Sequence, residues 1–88
     1  MNHLKYRYAP IEFIVQAKDG LILLEEKGVD DGLCYKINSE FKTVWEKKID
    51  FTVYFLGYQD GRLKIHDGSG EADLDADTGE ITNWVLKK

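Results

Sequence analysis

Turn-forming dipeptides and tripeptides interrupt this chain at short intervals, and that spacing leaves room for strands but hardly for helices. The signals are Asp19-Gly20, the stretch Gly28 to Gly32, Asn38-Ser39, Asp60-Gly61, Asp67 to Gly70, and Asp77-Thr78-Gly79. Between them lie segments of about five to eight residues rich in β-branched and aromatic side chains, as half-buried strands require. Alternation with a period of two is visible in several. Ile11, Phe13, Val15 and Ala17 fall on one face, as do Leu33, Tyr35 and Ile37. Ala72, Leu74 and Ala76 fall on another, with Glu71, Asp73, Asp75 and Asp77 opposite. The pattern predicts strands over 11–17, 21–27, 33–37, 42–48, 51–58, 62–66, 71–76 and 80–87. Short loops make neighbouring strands antiparallel, because parallel pairs need long crossovers. A helix over Glu40 to Lys48 would gather Phe41, Val44, Trp45 and Lys48 on one face, but Thr43 and Val44 argue against it.

The two halves of the chain match. Asp19-Gly20 corresponds to Asp60-Gly61, while Tyr35, Ile37, Asn38 and Trp45 correspond to Leu74, Ala76, Asp77 and Trp84. Each half, about 9–49 and 50–88, reads as a four-stranded meander whose last strand carries a tryptophan. A four-stranded repeat of roughly 40 residues is the pattern of a propeller blade. In the second half, Asp60-Gly61-Arg62-Leu63 is followed by Asp73-Leu74-Asp75-Ala76-Asp77-Thr78-Gly79-Glu80-Ile81-Thr82-Asn83-Trp84. This run resembles the quinoprotein-type (PQQ) β-propeller repeat, with its Leu-Asp-Ala strand end, Thr-Gly hairpin and Trp-bearing strand. In the first half, Tyr35-Lys36-Ile37-Asn38-Ser39-Glu40 keeps the phase without the glycine. The resemblance implies a fold, not an activity.

The expected architecture is therefore a single all-β domain over 1–88, with about eight antiparallel strands as two four-stranded meanders. Two blades do not close a propeller of four to eight. The chain is expected either to pack its meanders into a compact monomer or to close a ring as an oligomer, for example a trimer. The compact monomer is preferred, because acidic loops and lysine-capped strands resemble managed edges.

Net charge is −4, from 12 Lys and Arg against 16 Asp and Glu. It is uneven: between Tyr58 and Glu80 seven acids face two bases, leaving the rest of the chain slightly positive. An acidic tract repels phosphates, so nucleic acids and anionic membranes are poor partners and a basic protein is a better one. The N-terminal residues lack the apolar stretch of a secretory signal, and apolar runs such as Leu21 to Leu24 are too short for a helical span. Cys34 has no second cysteine to pair with, so a cytoplasmic setting is expected.

The alternating acids are the most conspicuous chemistry. Asp at alternate positions suggests calcium, but the glycine falls one position late at Gly79 and Trp84 stands where the bidentate acid belongs. Along a strand such acids lie about 7 Å apart and do not converge. A solvated strand face is the default reading, and a protein-binding surface the functional one. Among the aromatics, Phe51, Val53 and Phe55 are expected on one face and Tyr54, Leu56 and Tyr58 on the other, with Tyr58 a candidate anchor. Trp45 and Trp84 recur with the repeat and read as structural.

No nucleophile, acid–base pair or phosphate loop can be built from this sequence. Glu25 and Glu26 diverge on a strand, His66 and Asp67 do not meet without a turn, and Cys34 reads as a buried thiol. No enzyme activity, cofactor or metal is expected. The basic residues Lys5, Arg7, Lys42, Lys47, Lys48, Lys87 and Lys88 either blunt edges or pair with a neighbouring acidic tract.

These features point to a binding protein. Size, charge and setting resemble small acidic bacterial immunity proteins and antitoxins, which implies a basic toxin or nuclease as partner. The expected contact residues are Tyr58, Asp60, Asp67, Glu71, Asp73, Asp75 and Asp77. The alternative is a carbohydrate-binding, lectin-like propeller formed by several two-blade chains.

Overall fold

A computed structural model describes residues 8–86; His3, Lys5, Arg7, Lys87 and Lys88 lie outside them. It contains two four-stranded antiparallel sheets, each a simple meander. The first holds β1 (Ile11–Ala17), β2 (Gly20–Gly28), β3 (Asp31–Asn38) and β4 (Thr43–Ile49). The second holds β5 (Tyr54–Gln59), β6 (Arg62–His66), β7 (Gly70–Asp75) and β8 (Ile81–Leu86). The stretch offered as an alternative helix is strand β4, as the β-branched Thr43 and Val44 favour.

The sheets share one core. Ile22, Leu24, Cys34 and Ile49 from the first sheet meet Leu63, Ile65, Ala72, Leu74 and Ala76 from the second. β1 lies beside β5, where Phe13 stacks on Phe55 at 5.4 Å and meets Tyr54 edge-on at 6.2 Å. The turns β1–β2, β5–β6 and β7–β8 gather at one end, for Asp19, Asp60 and Asp77 line a common cleft there. β1 and β5 therefore run the same way, and the meanders stack in the same sense. Ala17, next to the first turn, points into the shared core. Gln59 and Arg62, next to the β5–β6 turn, lie on the opposite face from the inward Tyr58 and Leu63. The two Asp-Gly dipeptides also sit differently, since Gly20 already pairs within β2 whereas Gly61 completes its turn.

Trp45 joins the sheets. Its indole N–H donates to the Ala76 carbonyl at 2.9 Å, and its ring lies so close over Gly79 that a Cβ there would sit 2.6 Å from it. Gly79 also has a φ of 80°, the left-handed region that glycine enters without strain. Lys36 is a second link. Its side chain is buried between the sheets, with its ammonium 2.7 Å from Asp19 and 3.8 Å from Asp77.

β2 is covered on both faces, so Ile22, Leu23, Leu24 and Glu25 are all buried and the strand shows no alternation. On its far face Leu23, Tyr35 and Ile37 form a smaller cluster with Ile11, Leu21 and Leu33. Glu25 closes that cluster. Its carboxylate accepts hydrogen bonds from the Tyr35 hydroxyl and from the Tyr8 and Ala9 amides, the last at 3.0 Å.

A β-bulge between Phe55 and Gly57 shifts the phase of β5. Tyr58 therefore does not share the outer face with Tyr54 and Leu56 as strict alternation requires; it is half-buried against the shared core.

Candidate partner-binding site

The β5–β6 hairpin separates two surface clefts. Its turn residues Asp60 and Gly61 have φ values of 54° and 81°, the paired positive values of a tight hairpin that follows the sheet twist. On the outer face of the second sheet, a groove of about 830 Å³ runs past Leu56, Tyr58, Asp60, Arg62, Lys64 and Asp73. Round the tip, a cleft of about 510 Å³ is bounded by Lys18, Asp19, Tyr58, Asp60, Gly61 and Asp77. Tyr58 and Asp60 border both. The Tyr58 hydroxyl accepts the Lys18 N–H at 3.3 Å, which ties the hairpin to the β1–β2 turn.

The acidic ladder does not stand alone. In the register of β6 against β7, Arg62 lies opposite Asp75, Lys64 opposite Asp73, and His66 opposite Glu71. The opposed charges of Arg62 and Asp75, and of Lys64 and Asp73, stabilise the sheet and cancel one another's reach. Asp73 is the clearest case: Lys64 Nζ lies 2.9 Å away and Asn83 Nδ2 donates at 3.0 Å. These two partners hold its carboxyl below the usual range.

Two other acids build turns. Asp75 Oδ1 accepts the Asp77 N–H at 2.8 Å and the Thr78 N–H at 3.3 Å. Asp67 Oδ1 accepts the Ser69 and Gly70 amides at 2.9 and 2.7 Å, and these bonds lower its pKa. The His66 imidazole Nδ1 accepts the Gly68 N–H at 3.0 Å, so it too serves this turn.

The structure thus brings Tyr58, Asp60 and Asp77 together at the turn end, with Asp73 in the adjoining groove. Asp75 and Glu71 lie along the ladder, and Asp67 lies in the β6–β7 turn at the far end. Sequence reasoning missed Asp19, which joins the turn-end cleft from the other sheet. The bond from Lys36 holds its carboxyl below the usual range, although the side chain is 69% exposed. A lysine inside the otherwise apolar run Tyr35-Lys36-Ile37 was the available signal. Leu56 and Tyr54, 53% and 47% exposed, supply apolar surface on the same sheet.

Glu26 stands apart, near Glu12 and Lys27 beside a shallow cleft of about 290 Å³. Desolvation and, secondarily, the Glu12 carboxylate raise its pKa. Ionised Glu26 therefore opposes folding above the ordinary glutamate pKa, and protonation relieves that cost. Glu26→Gln is expected to raise the thermal midpoint slightly at pH 7, with the gain shrinking as pH falls through the glutamate range and gone by about pH 3, where both states of the wild type are protonated. Calorimetry at the two pH values checks this.

Burial pushes the Cys34 thiol up to about 12, well above the range of a reactive thiolate. Among the described residues no group of three or more His, Cys, Asp or Glu side chains is arranged to hold a metal ion. No helix of the described residues is long and apolar enough to cross a membrane.

The fold and its turn-end clefts define an all-β protein of two stacked meanders. Comparison with family models, with curated proteins and with solved structures finds no match to this chain.

Proposed function

We propose that this chain is a non-enzymatic protein-binding module that engages a basic protein, in the manner of an acidic immunity protein or antitoxin covering a toxin nuclease. The observation that carries this reading is the grouping of Asp19, Asp60 and Asp77 at one exposed end, next to a groove lined by Leu56 and Tyr58. Carboxylates at a protruding end steer a cationic partner, and the neighbouring apolar and aromatic groups hold it once docked. The Asp77 side chain is 84% exposed, and the nearest cation, Lys36, lies buried beneath it at 3.8 Å. Asp77 and Asp60 are thus available to lysine and arginine side chains from outside. Asp73 and Asp75, opposed by Lys64 and Arg62 across the strand, contribute less.

Affinity capture on the immobilised protein tests this reading. Retained proteins are expected to be basic, to elute by about 0.5 M salt because exposed charge pairs are screened, and to be lost on an Asp60→Asn, Asp77→Asn surface. A retained set no more basic than the input, or one that the double variant retains unchanged, rejects it.

A carbohydrate-binding ring of two-blade chains is the second reading, favoured by the way the two meanders stack in the same sense. Closing a ring would require the far face of the first sheet to receive the next chain. Leu23, Tyr35 and Ile37 on that face are already buried within one chain, which weighs toward the monomeric binder.

A further inference from the structure

Ahead of β1, residues Tyr8, Ala9 and Pro10 form a short strap tied to the first sheet at two places. Pro10 extends the pairing of β1 with β2, its carbonyl accepting the Glu26 N–H at 3.2 Å. The inner tie is the fully buried Glu25, whose carboxylate accepts the Tyr8 and Ala9 amides and the Tyr35 hydroxyl. The outer tie is the Tyr8 side chain. Its hydroxyl donates to Asp31 Oδ1 at 2.6 Å and accepts from Lys48 Nζ at 3.0 Å, while Lys48 is itself paired with Asp31. The ammoniums of Lys27 and Lys48 each lie 4.6 Å from the centre of the Tyr8 ring, within cation–π reach. Three strands thus meet on one tyrosine: β2 through Lys27, β3 through Asp31 and β4 through Lys48.

Both ties end on a carboxylate. Pro10 brings no N–H, and Ala9, though buried, brings only a methyl group. The core between the sheets is built otherwise, from apolar side chains and the Cys34 thiol. We propose that Tyr8–Pro10 is an acid-released strap, which protonation of Asp31 and Glu25 opens while the two sheets stay folded. Opening uncovers Glu25 and the Tyr35 hydroxyl at the rim of the smaller apolar cluster. Lys48, and after it Tyr8, holds the Asp31 carboxyl below the usual range. Asp31 therefore favours the closed strap above the ordinary aspartate pKa of about 4, and that gain is lost as pH falls through the lowered value. Lysine keeps its charge in acid, so a neutral Asp31 leaves two like charges beside one ring. Protonated Glu25 no longer offers a full carboxylate to its three donors. Glu46, across from Tyr35 on β4, is a further acid on that side.

Amide hydrogen exchange read by NMR from pH 7 down to about pH 3, corrected for the intrinsic rate at each pH, tests the proposal. In the wild type the Ala9 amide is expected to be protected at pH 7 and to lose about tenfold or more over this range. Leu24, in the middle of β2, is expected to change far less. Asp31→Asn is expected to remove about tenfold of the Ala9 protection at pH 7, the scale of one charge-assisted hydrogen bond, and to make the remaining fall shallower. Leu24 in that variant reports that the sheets are intact. Glu46→Gln is expected to leave the release as in the wild type. An Ala9 amide that is unprotected at pH 7 or indifferent to pH, or equal losses at Ala9 and Leu24, would overturn the proposal. So would an Asp31→Asn chain whose Ala9 exchanges like the wild type, or a release that Glu46→Gln abolishes.

Discussion

Trp45→Ala is expected to lower stability by about 3 kcal/mol, towards the lower end of large-to-small substitutions because the ring is only partly buried. In a domain of this size that loss lowers the thermal midpoint by about 12–24 °C. The indole fills the gap between β4 and the β7–β8 turn, and its N–H satisfies the Ala76 carbonyl. Alanine leaves both the gap and the carbonyl. Gly79→Ala approaches the same contact from the other side. A methyl there meets the indole at 2.6 Å and must also adopt a φ of 80°. In the wild-type background the expected cost is about 2–3 kcal/mol, of which about 1 kcal/mol is backbone strain. With Trp45 already removed only the strain persists, so the double variant should be more stable than the sum of the single costs implies, by about 1–2 kcal/mol. Chemical denaturation of the four proteins measures this coupling, and strictly additive costs would show that Trp45 does not rest on Gly79.

The second large effect is expected at Glu25. The side chain is fully buried, and its carboxylate gathers the Tyr35 hydroxyl with the amides of Tyr8 and Ala9. Glu25→Ala leaves those donors without their acceptor inside the protein, at an expected cost of about 2–4 kcal/mol. Glu25→Gln keeps one acceptor oxygen and nearly the same volume, so about half that cost is expected. Hydrogen exchange at the Ala9 amide distinguishes the node from ordinary packing: it should quicken sharply in the alanine variant and only modestly in the glutamine variant. Equal exchange in the two variants would mean that the carboxylate does not hold this segment.

The parts of this fold legible in the sequence are those where one face is wet. On β7 the alternation of Ala72 and Leu74 with Glu71, Asp73 and Asp75 separates core from solvent as the pleat requires. On β2 the same logic fails, because both faces of that strand are covered and Leu23 and Leu24 are buried alike. Bulges defeat it elsewhere. One extra residue near Leu56 turns Tyr58 inward, and Gly57, a glycine within the strand, is the one local mark of that bulge. The candidate site was legible as residues but not as an arrangement. An acid-rich tract in sequence becomes a set of opposed pairs once β6 is registered against β7. Meanwhile Asp19, distant in sequence, comes to share a cleft with Asp60 and Asp77. Register and sheet stacking are long-range properties that a strand pattern does not carry.

The central claim is that the carboxylates available to a partner are those of the turn end. It is tested most directly by titrating a basic protein captured from solution against the wild type, Asp60→Asn with Asp77→Asn, and Asp73→Asn with Asp75→Asn. The turn-end pair is expected to weaken binding by about tenfold, the scale of 1.4 kcal/mol, and to flatten its salt dependence, with the ladder pair close to wild type. Greater weakening from the ladder pair, with the turn-end pair unchanged, would contradict the account.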